Sequence, residues 1–277
     1  MRFDIARYKD ATARLEVDDI DFDAFRTQPL GPDVLRTLRY MHDVEYHTVC
    51  YLRDLLVTSA HSDPDITAFL TLWNYEEHWH GEALARVLSA HGEAAGAPRI
   101  AALRRRVRWT QTVGPLVSMA GSALLRDFTA VHMAWGAVNE WTTQAGYGRL
   151  AARADHPELT RLLKRIMRQE GVHIDFYASQ AASRLDASRA ARWLTRLALT
   201  RFWRPVGSSV QPKAEVEFLV GYLFGDPAGR AVANRIDNRV HRLPGLDGIG
   251  IVGAAIGRIA GPAPAPSARD IPLGMAA

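Results

Sequence analysis

Two short stretches carry the residue types of a metal centre: Glu77-His78-Trp79-His80 and Glu170-Gly171-Val172-His173. Each is a Glu-x-x-His, and three residues along a helix is nearly one turn, so carboxylate and imidazole project from one face. Oxygen and imidazole ligands in this mix suit iron or manganese. One such pair alone is commonplace on a solvated helix. Here each pair interrupts an otherwise apolar stripe at its centre. The first stripe runs Ile66, Leu70, Trp73, Glu77, His80, Leu84, Val87, and the second Leu159, Leu163, Ile166, Glu170, His173, Tyr177.

Two more carboxylates share this setting. Glu45 interrupts the stripe Val34, Leu38, Met41, Thr48 or Val49, Leu52, Leu55, and Glu140 sits among Met133, Ala137, Gln144 and Tyr147. Burying one ionised carboxylate without a partner costs several kcal/mol, and four together repel. The pattern therefore predicts a cationic centre, two metal ions held by Glu45, Glu77, His80, Glu140, Glu170 and His173. The other titratable groups fit less well. His42, one turn before Glu45, reads as a core or rim histidine or as a support to the site. Glu76 lies about 100° round the helix from Glu77 and reads as a support or an exposed residue, not a ligand. His78 reads as rim, Asp175 faces elsewhere, and spacing gives His47 and His132 no partner.

The elements that must position these residues are helices. Gly31-Pro32-Asp33 opens the first, Ser62-Asp63-Pro64 caps the second and Asp155-His156-Pro157 the fourth; the third runs from about Ala123 to Ala152. The first and second are joined by a few residues, as are the third and fourth, which makes each pair antiparallel neighbours. Residues 92–126 form a long connection, with a short basic helix and a break at Gly114-Pro115. Hairpin, crossover, hairpin is the ferritin-like arrangement. The expected fold is all-α: a ferritin-like four-helix bundle over residues 33–185 with one long crossover, preceded by a lead segment over 1–32. Additional C-terminal helices over 186–260 would pack on it, with Asp186 capping the first and a pair at 212–224 and 227–242. Glycine, alanine and proline dominate from Pro244, and 261–277 reads as a disordered tail.

Composition bounds the rest. A 277-residue chain that is 48% apolar and 23% charged can bury a sizeable core. The single cysteine, Cys50, excludes an internal disulfide and suits a reducing compartment. Acids stand where a secretory signal would have its apolar run, and no stretch approaches the ~18 apolar residues of a membrane span. The expectation is a cytoplasmic protein that is not integral to a membrane. The net charge of +4 is modest, but arginines cluster at 99, 104, 105, 106 and 108 and again at 189, 192, 196, 201 and 204. These read as solvated faces or as a docking surface for an acidic partner. No nucleic-acid motif surrounds them.

With these residues in hand, the chain resembles the soluble acyl-acyl carrier protein desaturase family of the ferritin-like di-iron superfamily. Glu76-Glu77-His78-Trp79-His80-Gly81 stands where that family carries Glu-Glu-Asn-Arg-His-Gly. Glu140-Trp141-Thr142-Thr143 has the spacing of its third metal glutamate and a threonine beside the oxygen site. Gln169-Glu170-Gly171-Val172-His173-Ile174 matches Asp-Glu-x-Arg-His-Glu in part. The match covers residues 33 to 183. Both family arginines are replaced, by Trp79 and Val172, and the aspartate by Gln169.

The resemblance implies two iron ions, manganese being the alternative, that use dioxygen to take hydrogen from an unactivated methylene. It implies that Glu77 and Glu170 bridge the ions, that Glu45 and His80 complete one and Glu140 and His173 the other, and that Thr143 is catalytic. It further implies an acyl carrier protein or other acyl substrate, an external electron donor such as a ferredoxin, and a homodimer. Met133, Trp73 and Tyr147 read either as the lining of a substrate channel along the bundle or as ordinary core residues. Two alternatives stay open: another di-metal oxidase or oxygenase, such as an N-oxygenase or ligand-binding oxidase, and a non-enzymatic iron-handling bundle.

Overall fold

The computed structural model describes residues 3–124 and 127–261, the side chains of residues 108–112, 117, 120 and 124 excepted. The expected tail at 261–277 thus lies outside the described residues from 262 onward. Twelve α-helices occur among the described residues, and no strand. In chain order they are α1 (Ile5–Ala11), α2 (Ala24–Thr27), α3 (Pro32–Leu56), α4 (Pro64–Ala90), α5 (Gly96–Arg106), α6 (Arg108–Leu124), α7 (Phe128–Ala154), α8 (Pro157–Ala187), α9 (Arg189–Phe202), α10 (Lys213–Phe224), α11 (Pro227–Val240) and α12 (Ile251–Ala260).

The four long helices begin where local chemistry dictates. Proline opens α3, α4 and α8, where its missing N–H costs no helical bond. The Asp63 carboxylate accepts from the amides of Asp65 and Ile66, and His156 accepts from that of Leu159. Asp155 ends α7 in the left-handed conformation, turning the chain tightly into α8. α3 lies along α4 and α7 along α8, with α3 also meeting α7 and α4 meeting α8. Because only short links join each pair, the partners run antiparallel. Glu45, Glu77, Glu140 and Glu170 each stand near the middle of their helix, so packing the four together brings them to one level.

Two expectations need correction, and one helix adds to what was expected. Helix α6 runs through Gly114-Pro115 instead of breaking there. A proline ring clashes with the Cβ of the residue before it, and Gly114 has none. Asp186 lies in the last turn of α8, and Ser188 is the cap of α9, its hydroxyl accepting from the Ala191 amide. The Gly- and Ala-rich stretch after Pro244 contains α12, whose first turn is held from a distance: Asp237 on α11 accepts from the amides of Val252 and Gly253 at 3.0 and 2.9 Å. Helices α10, α11 and α12 pack on one another, and α10 and α11 pack on α7. Among the described residues no helix is long and apolar enough to cross a membrane.

Four of the ten clustered arginines hold the chain together. Arg99 forms a two-pronged pair with buried Asp43, at 2.6 and 2.7 Å. Arg106 donates to the Val210 carbonyl, Arg192 to those of Leu185 and Asp186, and Arg196 to those of Gly245 and Asp247. Arg104, Arg105, Arg189, Arg201 and Arg204 are exposed, as are Arg106 and Arg196 outside their bonds.

Candidate metal centre

All six predicted ligands are buried and meet at the middle of the four long helices. They fall into two groups of four, Glu45, Glu77, His80 and Glu170, and Glu77, Glu140, Glu170 and His173. Within each group one oxygen or nitrogen per residue lies within 4.8 Å of the others. Glu77 and Glu170 belong to both. His80 Nδ1 stands 3.5 Å from Glu170, 3.7 Å from Glu77 and 3.9 Å from Glu45. These gaps are too wide for hydrogen bonds, yet bonds of about 2.0–2.2 Å from each atom to a shared ion would span them. Two buried atoms at this place, His80 Nδ1 and Glu170 Oε1, have no hydrogen-bond partner. Unpaired, such atoms are costly, so the donor set fits a cation. Four carboxylates and two divalent ions also balance in charge.

Without metal the carboxylates must share protons. Burial, then the charge of Glu77, pushes Glu45 well above the usual carboxylate range. Burial, then the charges of Glu170 and Glu77, does the same to Glu140. Burial also acts on Glu77, but hydrogen bonds from Glu45, His173 and His80 outweigh it and hold Glu77 low. Burial opposes charging of His80, yet the nearby carboxylates of Glu170 and Glu77 outweigh it and push it up to about 9. His173 is raised in the same way, with Glu170, Glu76 and Glu77 outweighing burial. This charge pattern favours positive charge at the centre.

The outer nitrogen of each histidine is fixed across the helix pair. His173 Nε2 donates to Glu76 at 2.7 Å, and His80 Nε2 donates to the Gln169 side-chain oxygen at 2.9 Å. A proton on Nε2 leaves Nδ1 facing the centre with its lone pair, as a ligand requires. Glu76 also accepts from the Tyr8 hydroxyl at 2.8 Å, and Gln169 donates to the Ala13 carbonyl at 3.1 Å. The lead segment therefore ties both supports down.

The two unshared glutamates are held by donors from among the residues expected to line a channel or fill the core. The Tyr147 hydroxyl donates to Glu45, and Trp73 Nε1 to Glu140 at 3.1 Å. A buried Tyr or Trp needs a partner for its polar tip, and that rule was the available signal. Met133 is fully buried and lines neither cavity described here; it belongs to the core. His42 is buried away from the centre, bonding Asp43 and accepting from the Gly96 amide at the start of α5. His78 and Asp175 are exposed, as spacing indicates.

A chamber of about 400 Å³ opens on the Glu45, Glu77 and Glu140 side of the centre. His47, Tyr51 and Asn139 line it, and the loop from Arg204 to Val210 forms its outer wall. Burial pushes the His47 imidazole down to about 4, so it is neutral there. His47 was the wall residue that spacing could not place. Thr143, half-buried on α7, lines this chamber and a second, narrower apolar cleft of about 70 Å³. No protein-family model, curated protein or solved structure matches the chain.

Proposed function

We propose that the chain is a ferritin-like di-iron oxidoreductase, resembling the soluble acyl-acyl carrier protein desaturases, that uses dioxygen to remove two hydrogens from an aliphatic acyl chain. The observation that carries this reading is the overlap of two buried four-residue groups on Glu77 and Glu170, beside a chamber that reaches three of their carboxylates. A lone structural metal would need neither the second group nor the chamber.

Bound iron would supply dioxygen activation and hydrogen abstraction at the chamber wall. The protein supplies position. Glu77 and Glu170 would hold both ions, with Glu45 and His80 holding one and Glu140 and His173 the other. Gln169 and Glu76 fix the imidazoles, and Tyr147 and Trp73 steady the unshared carboxylates. Thr143 presents a hydroxyl where substrate and oxygen would meet, suited to passing a proton. In the overall balance, dioxygen takes two hydrogens from the substrate plus two electrons and two protons from outside, and leaves as two waters. The electrons require a donor such as a ferredoxin. The acyl group would come on an acyl carrier protein docked through exposed arginines or as another acyl substrate, and a homodimer is part of the same reading.

Oxygenation in place of desaturation is the second reading, and the chamber's polar lining by Tyr51, Asn139 and His47 favours it. Metal analysis of the purified protein, with optical spectra before and after reduction and oxygen addition, tests the centre. Absence of bound iron or manganese sinks both readings. Acyl substrates then separate them by a two-hydrogen mass loss against an added oxygen.

A further inference from the structure

The chamber and the narrow cleft share Val44, Glu45, Thr143, Pro205 and Val206. They are two compartments meeting at the edge of the metal centre. The cleft's inner wall comes from α3 and α7 through Met41, Gly146 and Tyr147. Its outer wall comes from the C-terminal helices through Leu219, Leu223 and Ile256. At Gly146 a side chain is absent where the space is the cleft: a Cβ there would lie 3.4 Å from Met41 Cε and 3.7 Å from Leu223 Cδ1.

The chamber differs in character. The Tyr51 hydroxyl on its wall is shut away from solvent and has no hydrogen-bond partner. Asn139 gives its oxygen to Trp203 Nε1 at 3.1 Å, which leaves its amide nitrogen as a donor. Arg204 stands exposed at the chamber's edge, with one guanidinium nitrogen pinned by the Trp203 and Arg201 carbonyls at 2.8 and 3.3 Å. Among the described residues no carboxylate pairs with Arg204. Its neighbour Phe202 is 67% exposed at the same edge. Three donors, one of them cationic, therefore face a space that continues into an apolar slot.

We propose that the two compartments are one bipartite site for an unbranched aliphatic chain with an anionic end. The anion sits with Arg204 and Asn139, the reacting carbons pass Thr143, and the tail lies in the cleft under α10 and α12. This gives residues 213–260 a task, setting the length of tail accepted. The inference rests on the proposed reading of the metal centre, but binding can be measured without turnover.

The test is calorimetric titration of dodecanoate, dodecanol and hexanoate into the protein as purified and after loading with Mn(II), a redox-quiet stand-in. Dodecanoate should bind at least tenfold more tightly than dodecanol, and Arg204→Gln should bring the two within twofold. Gly146→Val, on one wall of the cleft, and Leu219→Trp, on the other, should each weaken dodecanoate at least fivefold and leave hexanoate unchanged. Unaltered Mn(II) stoichiometry and melting temperature show that each variant is folded. Equal binding of dodecanoate and dodecanol, or indifference to both cleft variants, overturns the inference even where Mn(II) binds at two per chain. Dodecanoate binding without any metal binding would leave this site standing and remove the di-iron reading instead.

Discussion

His173 Nε2 on α8 and the Glu76 carboxylate on α4 lie 2.7 Å apart, and the contact has a counterpart that differs in charge. On the other side His80 of α4 meets Gln169 of α8 at 2.9 Å. In both cases the residue just before a shared glutamate holds the histidine of the opposite helix. A carboxylate behind an imidazole raises its basicity more than an amide does. Glu76→Ala should therefore weaken metal binding by about 10–100-fold at the group containing His173, with a smaller effect at the other. Gln169→Ala should act mainly on the His80 group. Anaerobic titration with Mn(II), read by calorimetry, resolves the two affinities. Equal losses at both groups in either variant would contradict the assignment.

The division of ligands predicts stoichiometry. Glu45 belongs to one group and Glu140 to the other, whereas Glu170 belongs to both. Glu45→Ala and Glu140→Ala should each leave one ion per chain, and Glu170→Ala should leave none held tightly. Metal content after gel filtration decides it, and a Glu170→Ala protein that keeps two ions would rule out sharing.

The proton balance gives a pH dependence. His80 is raised from 6.5 to about 9, so in the metal-free protein its contribution to stability is complete below pH 6.5 and lost as pH climbs through 9. Glu45 and Glu140 are raised as well and lose their contribution in the same direction, starting above about pH 4.5. Glu77 and Glu170 are held low, and theirs is lost as pH falls below their ordinary range. The melting temperature of the metal-free protein should fall between pH 6.5 and 9, and metal should flatten that fall because ions replace the protons. Metal binding at pH 7 should release protons, seen as an enthalpy that changes with the buffer's ionisation heat. A metal-free protein that gains stability from pH 6.5 to 9 would count against this picture.

The centre was legible in the sequence because burying charge is costly. Glu77, His80, Glu170 and His173 stood out by falling on apolar stripes, and those stripes are helices whose middles meet. The supports were less legible. Glu76 and Gln169 act on histidines about ninety residues away, and no periodicity within one helix encodes such a contact. Helix α12 was missed for the same reason. Its own composition is poor in helix signals, and its cap is Asp237, fifteen residues earlier on another helix. The Gly114-Pro115 pair was misread because glycine before proline relieves the clash that usually ends a helix. The chamber wall from Arg204 to Val210 has no pattern of its own. Buried Tyr40 on α3 and Arg106 on α5 fix it, through the carbonyls of Val206 and Val210.

That wall also depends on Asp43, which makes the last prediction structural. Asp43 is 2% exposed and sits two residues before Glu45. Its carboxylate takes two bonds from Arg99 on α5, one from His42 and one from Gln211 at the end of the loop. Burial alone would raise its pKa; the bonds from His42, Arg99 and Gln211 outweigh that and keep it ionised. Removing Arg99 leaves most of a buried charge uncompensated, and breaking such a pair costs about 3–5 kcal/mol. Arg99 is partly exposed, so water would offset some of this, and the lower end of that range is expected. In a chain of this size 1 kcal/mol shifts the melting temperature by about 2–4 °C. Arg99→Ala should therefore melt about 6–12 °C lower and loosen the loop ending at Gln211, seen as faster amide exchange at Gly207–Val210. Asp43→Asn keeps only the bonds to one side of the former carboxylate, but it strands the partly exposed Arg99 cation, which water can reach, and no buried anion, so it should cost less than Arg99→Ala. If the order is reversed, the pair is not what ties the loop to α3.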